Sequence, residues 1–434
     1  MIYLKQNKGY ALVLLMISPI LGLFYGLRNL DHKGKHLVLI IFGLFYGLLL
    51  NYSEGADAGA YARLAESYYY LGWDTFVDRF IGILTLSPED GSPSDLYIHI
   101  LCGIAGSMFS STSFLFALVG AVYGYFYGSA LLKVIDFSNS KLKKISFLTF
   151  MLILLFVIHK SFDSMQTIRS WTGMWILFNG VFGYYKTNNK KYLLLIMISP
   201  FFHLMYGFIV IPAILAVAFK SLPKSLFIGI YAISFLLNVN SLLIVDAASD
   251  NDLAKSKLGS YYRVDKGGKT IDPIAQRRED SNAVWYAKYG KTTSVYTGAT
   301  FFMIFLIIGG YYSKKIMNNV EYGLMTTALL MATLANFLSF AYALYSRTMA
   351  NASVYVLALM VLLVLRGVFK KPPGINYETI GILIGIIIFI PKIVYFSSDF
   401  LYKTSMLLFV FPFINFFDTS LNFSMRDTIN LFLN

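Results

Sequence analysis

Long apolar runs separated by short polar interruptions occupy nearly the whole chain. They fall near residues 11–27, 37–50, 113–135, 145–160, 171–185, 192–203, 205–219, 226–245, 298–313, 322–344, 353–369 and 379–397. Most are roughly 15 to 23 residues long, enough for an α-helix to cross a hydrocarbon layer, where only a helix satisfies its own backbone polar groups. The stretch "YLLLIMISPFFHLMYGFIVIPAILAVAF" (192–219) is too long for one ordinary span and short for two. Basic residues flank it on both sides, so it must go out and return, with the turn expected at Pro200 to His203. Residues 96–110 and 405–417 are weakly apolar and read as dipping or interfacial helices. The pattern predicts an all-α polytopic integral membrane protein of about 12 crossings (range 11–14), a single membrane domain over 1–434 without a visible internal repeat.

Composition agrees: 57% of residues are hydrophobic, 14% are charged and the mean hydropathy is +0.62. One cysteine, Cys102, excludes a disulfide within the chain and a Cys/His zinc site. The first apolar run lacks a small-residue cleavage site and reads as a retained span.

Charge changes the picture from span count to orientation. The net charge of +13 is not spread like a nucleic-acid surface. Six short loops (28–36, 133–144, 186–191, 220–224, 314–321 and 366–377) hold 17 Lys/Arg against 3 Asp/Glu, which places them in the cytoplasm by the positive-inside rule. Residues 51–95 carry eight acids against Arg63 and Arg79, and form an outer acidic loop. The long segment 246–297, with nine Lys/Arg and seven Asp/Glu, is a second outer loop without regular structure, and both termini then lie outside.

This topology gathers ionisable groups at one membrane depth. Asp57 and Tyr61 lie four apart, on one face if "EGADAGAYARL" is helical. Arg169 opens a crossing from outside, His203 marks an outward turn and Arg347 closes another crossing at the same face. Ionisable groups near a bilayer usually line a polar cavity, although a lone interfacial arginine also snorkels. The chemistry that uses this set is glycosyl transfer from a lipid-linked diphosphate. Arg169 and Arg347 would hold the diphosphate through planar forks of donors, and Asp57 or His203 would take the proton of the attacking hydroxyl. Tyr61, Arg63, Arg277 and Arg278 are candidate saccharide contacts. Neither a metal nor any other cofactor is called for.

The order of "GADAGAYARLAESYYYLGWDTF", "TIRSWTGMWILFNGVFGYYKTNNKKYLLLIMISPFFHLMYGFIVI" and "SRTMANASVYV" resembles the EpsG/Wzy group of polysaccharide-repeat polymerases. The likeness is most specific at Ile168-Arg169, the Lys-rich loop 186–191 and Phe202-His203. Ser170 and Met205 depart from the Gln and the small hydroxyl residue that family often has there. The resemblance implies a GT-C-like glycosyltransferase of the bacterial cytoplasmic membrane. It would join undecaprenyl-diphosphate-linked O-antigen or capsule repeats at the outer face, alongside a chain-length regulator protein and without nucleic acid. Two alternatives stay open: an O-antigen ligase or related lipid-phosphate-sugar transferase with Glu54 or Asp57 as base, and a flippase.

Overall fold

A computed structural model describes residues 7–85, 87, 95–137, 145–237, 263–264, 270–271, 284–290, 293–369, 376–417 and 421–433. In chain order the helices used below are α1 (Lys8–Ile17), α2 (Pro19–Asn29), α3 (His32–Leu48), α4 (Asp57–Glu66), α5 (Trp73–Leu84), α6 (Leu96–Cys102), α7 (Thr112–Phe137) and α8 (Phe147–His159). They continue with α9 (Ile168–Thr187), α10 (Lys191–Phe202), α11 (Tyr206–Ala218), α12 (Lys224–Ser234), α13 (Thr293–Ile308), α14 (Asn319–Phe337), α15 (Tyr342–Leu365), α16 (Tyr377–Ile388) and α17 (Ile390–Lys403). The all-helical expectation holds among the described residues apart from two-residue strands, Arg263–Val264 antiparallel to Thr270–Ile271.

Among the described residues three helical stretches are long and apolar enough to cross a membrane: α7, α8 with its following 3-10 turn to Gln166, and α15. The pair α16 and α17, bent by 43° at the break before Pro391, makes a fourth. The other apolar helices are shorter. Helix α15 is buried without interruption from Thr348 to Leu363 and packs against α14 and α13. Helix α9 is enclosed by α7, α10 and α14.

Several boundaries differ from the sequence pattern. The expected first crossing is not one rod, because Ser18 is extended (φ −148°, ψ 99°) and its hydroxyl caps Leu21. A residue before proline is biased out of the helical region, and Gly22 comes back against Leu15, so α1 and α2 pack on each other. Pro200 stays inside α10, and the turn falls at His203 to Met205 instead. Residues 405–417 do not make one helix: a 3-10 turn at Met406–Leu408 and a single turn at Ile414–Phe417 flank Pro412. Among the described residues of the acidic region 51–95, α4 and α5 are helical. Most of 246–297 lies outside the described residues; those described there are the strand pair, a short helix Trp285–Gly290 docked on Pro391 and the first turn of α13.

The tightest helix pair is α3 against α7. Gly43, Gly47, Gly120 and Gly124 are spaced four apart on each helix, and a Cβ at any of them would strike the partner's backbone carbonyl. Small residues at this spacing let helix backbones touch, the source of association where lipid supplies no hydrophobic drive. Gly120→Val should therefore force α3 and α7 apart, costing about 1–3 kcal/mol or more. In detergent, fluorescence-detected thermal unfolding should show a lowered midpoint for Gly120→Val and an unchanged one for Gly207→Val, where a Cβ meets open space.

Candidate functional site

Direction along the helices sorts the charges. Arg169 stands in the first turn of α9 and Lys186 in its last; Arg347 stands near the start of α15 and Arg366 follows its end. His203 caps the end of α10, whose first residue is Lys191. The basic loops and the candidate residues thus occupy opposite helix ends. At the basic end, Glu321 in the first turn of α14 is fully buried and pairs with Arg366 at 2.7 Å, while closing a capping box with Asn318.

At the other end the candidates form one connected chain, and its centre is Asp95. This residue precedes α6 in the position where an acid ordinarily caps its own helix, but it makes no such side-chain bond. Its carboxylate turns inward and is fully buried. One oxygen accepts from Leu204 N–H at 2.6 Å and from His203 Nδ1 at 3.3 Å; the other pairs with Arg169 Nη1. Arg169 also donates through Nε to the Tyr61 hydroxyl at 2.8 Å, with its guanidinium 5.4 Å from the Tyr61 ring centre. His203, 4% exposed, meets Arg347 Nη1 through Nε2 at 3.2 Å. With Nδ1 donating to Asp95, Nε2 presents its lone pair to Arg347, which fixes the tautomer. Met205, at one of the positions that departs from the resembling family, sets its sulfur 4.0 Å from Arg347 Nη1.

A second tie runs beneath the charges. Tyr206 donates to Ser170 O at 2.6 Å, and Asn351 donates to the Tyr206 hydroxyl at 3.2 Å and to Arg347 O at 2.9 Å. Helices α9, α11 and α15 are thereby locked one turn below the ionised groups.

Most of the residues expected from sequence come together here. Asp57 begins α4 with Tyr61 one turn later, and Asp57 accepts from Thr167 Oγ1 at 3.3 Å, beside the start of α9. Asp57 is exposed at the rim, whereas Tyr61 is buried. Arg63 does not join: it donates to Glu54 O at 3.0 Å and braces the turn before α4, because two residues along a helix point to another face. Arg277 and Arg278 lie outside the described residues. Asp95 is not singled out by the sequence pattern, being one acid among eight in its region. The available signal was its position directly before an apolar run, where an acid commonly starts a helix. Among the described residues no group of three or more His, Cys, Asp or Glu side chains could hold a metal ion.

Burial pushes the Asp95 carboxyl upward, but the His203 ring, Arg169 and the Leu204 N–H outweigh it and hold the group well below the usual carboxylate range. A carboxyl depressed on folding contributes stability that is complete above its unfolded value, near pH 4, and fades only in strong acid. The clamp is therefore intact at any physiological pH. Asp95→Asn keeps the shape but strands Arg169 in a site with little water, which should cost about 3–5 kcal/mol. The thermal unfolding midpoint of the purified variant should fall clearly; an unchanged midpoint would show that Arg169 needs no buried partner.

No protein-family model matches the chain, and no curated protein or solved structure matches it either.

Proposed function

We propose that this chain is a membrane glycosyltransferase that joins oligosaccharide repeats carried on undecaprenyl diphosphate, at the outer face of the bacterial cytoplasmic membrane. The reading keeps about 12 crossings with the basic loops in the cytoplasm. The observation that carries it is the chain Tyr61, Arg169, Asp95, His203 and Arg347, drawn from five separate segments to the helix ends opposite the basic loops.

The geometry suits this chemistry. Asp95 pairs with Arg169, and His203, with Nδ1 turned to Asp95, meets Arg347 through Nε2, so two guanidinium groups stand at this site. Arg169 spends Nε and Nη1 on Tyr61 and Asp95, which fixes the plane in which its remaining edge meets a phosphate oxygen. A diphosphate arriving beside Arg347 competes with His203 Nε2 for the same donor. As Arg347 turns to the phosphate, Nε2 is uncovered, already oriented by Asp95 in the way a carboxylate orients a catalytic histidine. The acceptor hydroxyl oxygen then bonds to the anomeric carbon of the donor sugar. Its proton passes to His203 Nε2, and the carbon–oxygen bond to the diphosphate breaks with the electron pair leaving on the lipid diphosphate. Asp57 at the rim is the second proton acceptor within this set.

Two measurements test the reading. With Cys102 buried and silent, Ala60→Cys in intact cells should label with an impermeant thiol reagent and Asn188→Cys should not, both positions being exposed in the fold; labelling of Asn188→Cys from outside would invert the orientation and remove the site from the face where lipid-linked repeats accumulate. The second is polymer formation by purified protein from lipid-linked repeats, compared at equal abundance. Arg169→Lys should fail nearly as badly as Arg169→Ala, since a lysine cannot reach Tyr61, Asp95 and a phosphate together. The expected loss is on the order of 2–4 kcal/mol, or roughly 30-fold to 1,000-fold in rate. Wild-type polymer from Arg169→Lys would reduce Arg169 to an interfacial anchor.

A further inference from the structure

A cavity of about 320 Å³ opens between α13 and α15, lined by Thr293, Tyr296, Thr297, Thr300, Tyr342 and Tyr345. Its lining residues are three threonines and three tyrosines, side chains that carry hydroxyls beside apolar surface. On α13 the three threonines recur at spacings of four and three, which stacks them along one helix face; on α15 the two tyrosines are three apart and share a face likewise. Tyr296 stands edge-on to Tyr345 with ring centres 5.5 Å apart, and its own hydroxyl donates to Ser346 O at 2.7 Å. That bond straps α13 to the residue directly before Arg347.

We infer that this cavity is a saccharide-binding subsite, which holds a sugar of the lipid-linked chain while the diphosphate lies against Arg347 and Arg169. The inference rests on the glycosyl-transfer reading for the choice of ligand, and on the cavity itself for the chemistry. A sugar ring has apolar C–H faces and an equatorial belt of hydroxyls. Tyrosine rings bury the first, and threonine hydroxyls, each both donor and acceptor, pair with the second. A polyprenyl tail needs the reverse, a wall without hydroxyls, because each uncompensated polar group against hydrocarbon is costly. The volume lies at the lower end of small-ligand pockets, suited to one or two sugar units.

Position supplies the second half of the argument. Tyr345 and Arg347 are two residues apart, so they leave α15 on nearly opposite sides, separated by about 10 Å, the width of a helix. Tyr342 and Tyr345 look toward α13 while Arg347 reaches His203. An oligosaccharide can wrap the start of α15 from one side to the other, and a single sugar cannot. The subsite therefore selects a chain of several sugars over a monosaccharide, which a polymerising enzyme requires and a hydrolase of single sugars does not.

The probe is the lipid-free, phosphate-free oligosaccharide released by mild acid from the surface polysaccharide of cells that carry this protein. It is presented to the purified full chain in nanodiscs and followed by saturation-transfer NMR. Transfer to sugar protons should appear with wild type and with Arg169→Ala. It should weaken about fivefold for each hydroxyl removed in Thr297→Val and Thr300→Val. Equal binding by the threonine variants, absence of binding to wild type, or full displacement by polyprenyl phosphate carrying no sugar would overturn the subsite. The transfer reading stands or falls separately, on polymer formation. Polymer made at wild-type rate by a chain that binds no oligosaccharide leaves the enzyme and removes the subsite. Oligosaccharide held in the cavity by a chain that makes no polymer keeps the subsite and removes the transferase.

Discussion

A buried carboxylate surrounded by donors is the constraint on which this end of the molecule depends. Asp95 joins three segments that are remote in sequence: the start of α6, the start of α9 and the turn from α10 to α11. Removing a carboxylate from water is expensive, and the cost is recovered only when several donors converge on it with good geometry. The turn at His203 and Leu204 and the placement of Arg169 therefore belong together, since either alone would leave a charge unpaired. These contacts fix orientation as well: the plane of the Arg169 guanidinium, held by Tyr61 and Asp95, and the tautomer of His203, held between Asp95 and Arg347.

The helices beneath the site explain why that end can be held rigid. Helix α3 touches α7 backbone to backbone through glycines, and α15 is enclosed along most of its length. Interior helices are built differently from those that face the surface. Helices α9 and α14 carry Thr, Asn, Ser and Gly along buried faces, with hydroxyls such as Thr172, Thr326 and Thr327 bonded to carbonyls four residues back in their own helix. Polar groups satisfied in this way cost little in an apolar setting. They also lower the hydropathy of these helices, so that the helices standing out by length and apolarity are not the whole of the packed core.

The two ends of the molecule use ion pairs for different ends. Glu321 with Arg366 closes a helix start at the basic end, where the glutamate also completes a capping box, a structural arrangement fully accounted for by helix termini. The chain from Tyr61 to Arg347 has no such local explanation. It passes through five segments, caps no helix with a side chain, and ends on a histidine that accepts from an arginine.

The sequence by itself determined the helical character and the placing of the basic residues at the helix ends opposite Tyr61, Arg169, His203 and Arg347. Both follow from periodicity and from the order of charged and apolar residues along the chain. Local rules also located the reversal between α10 and α11 to within a few residues, although Pro200 was accommodated inside a helix. Tertiary structure alone decided which acid matters. Its position before an apolar run marks Asp95 as a helix start and no more, because the donors that surround it lie 74 and 109 residues away in the chain. It also decided that Arg63 turns aside to Glu54, that the first apolar run folds back at Ser18, and that threonines on α13 and tyrosines on α15 enclose a cavity. Periodicity assigns a residue to a face of its own helix; which partner that face meets is settled only by how the helices pack, since the energy of a buried charge or a glycine contact resides in the pair.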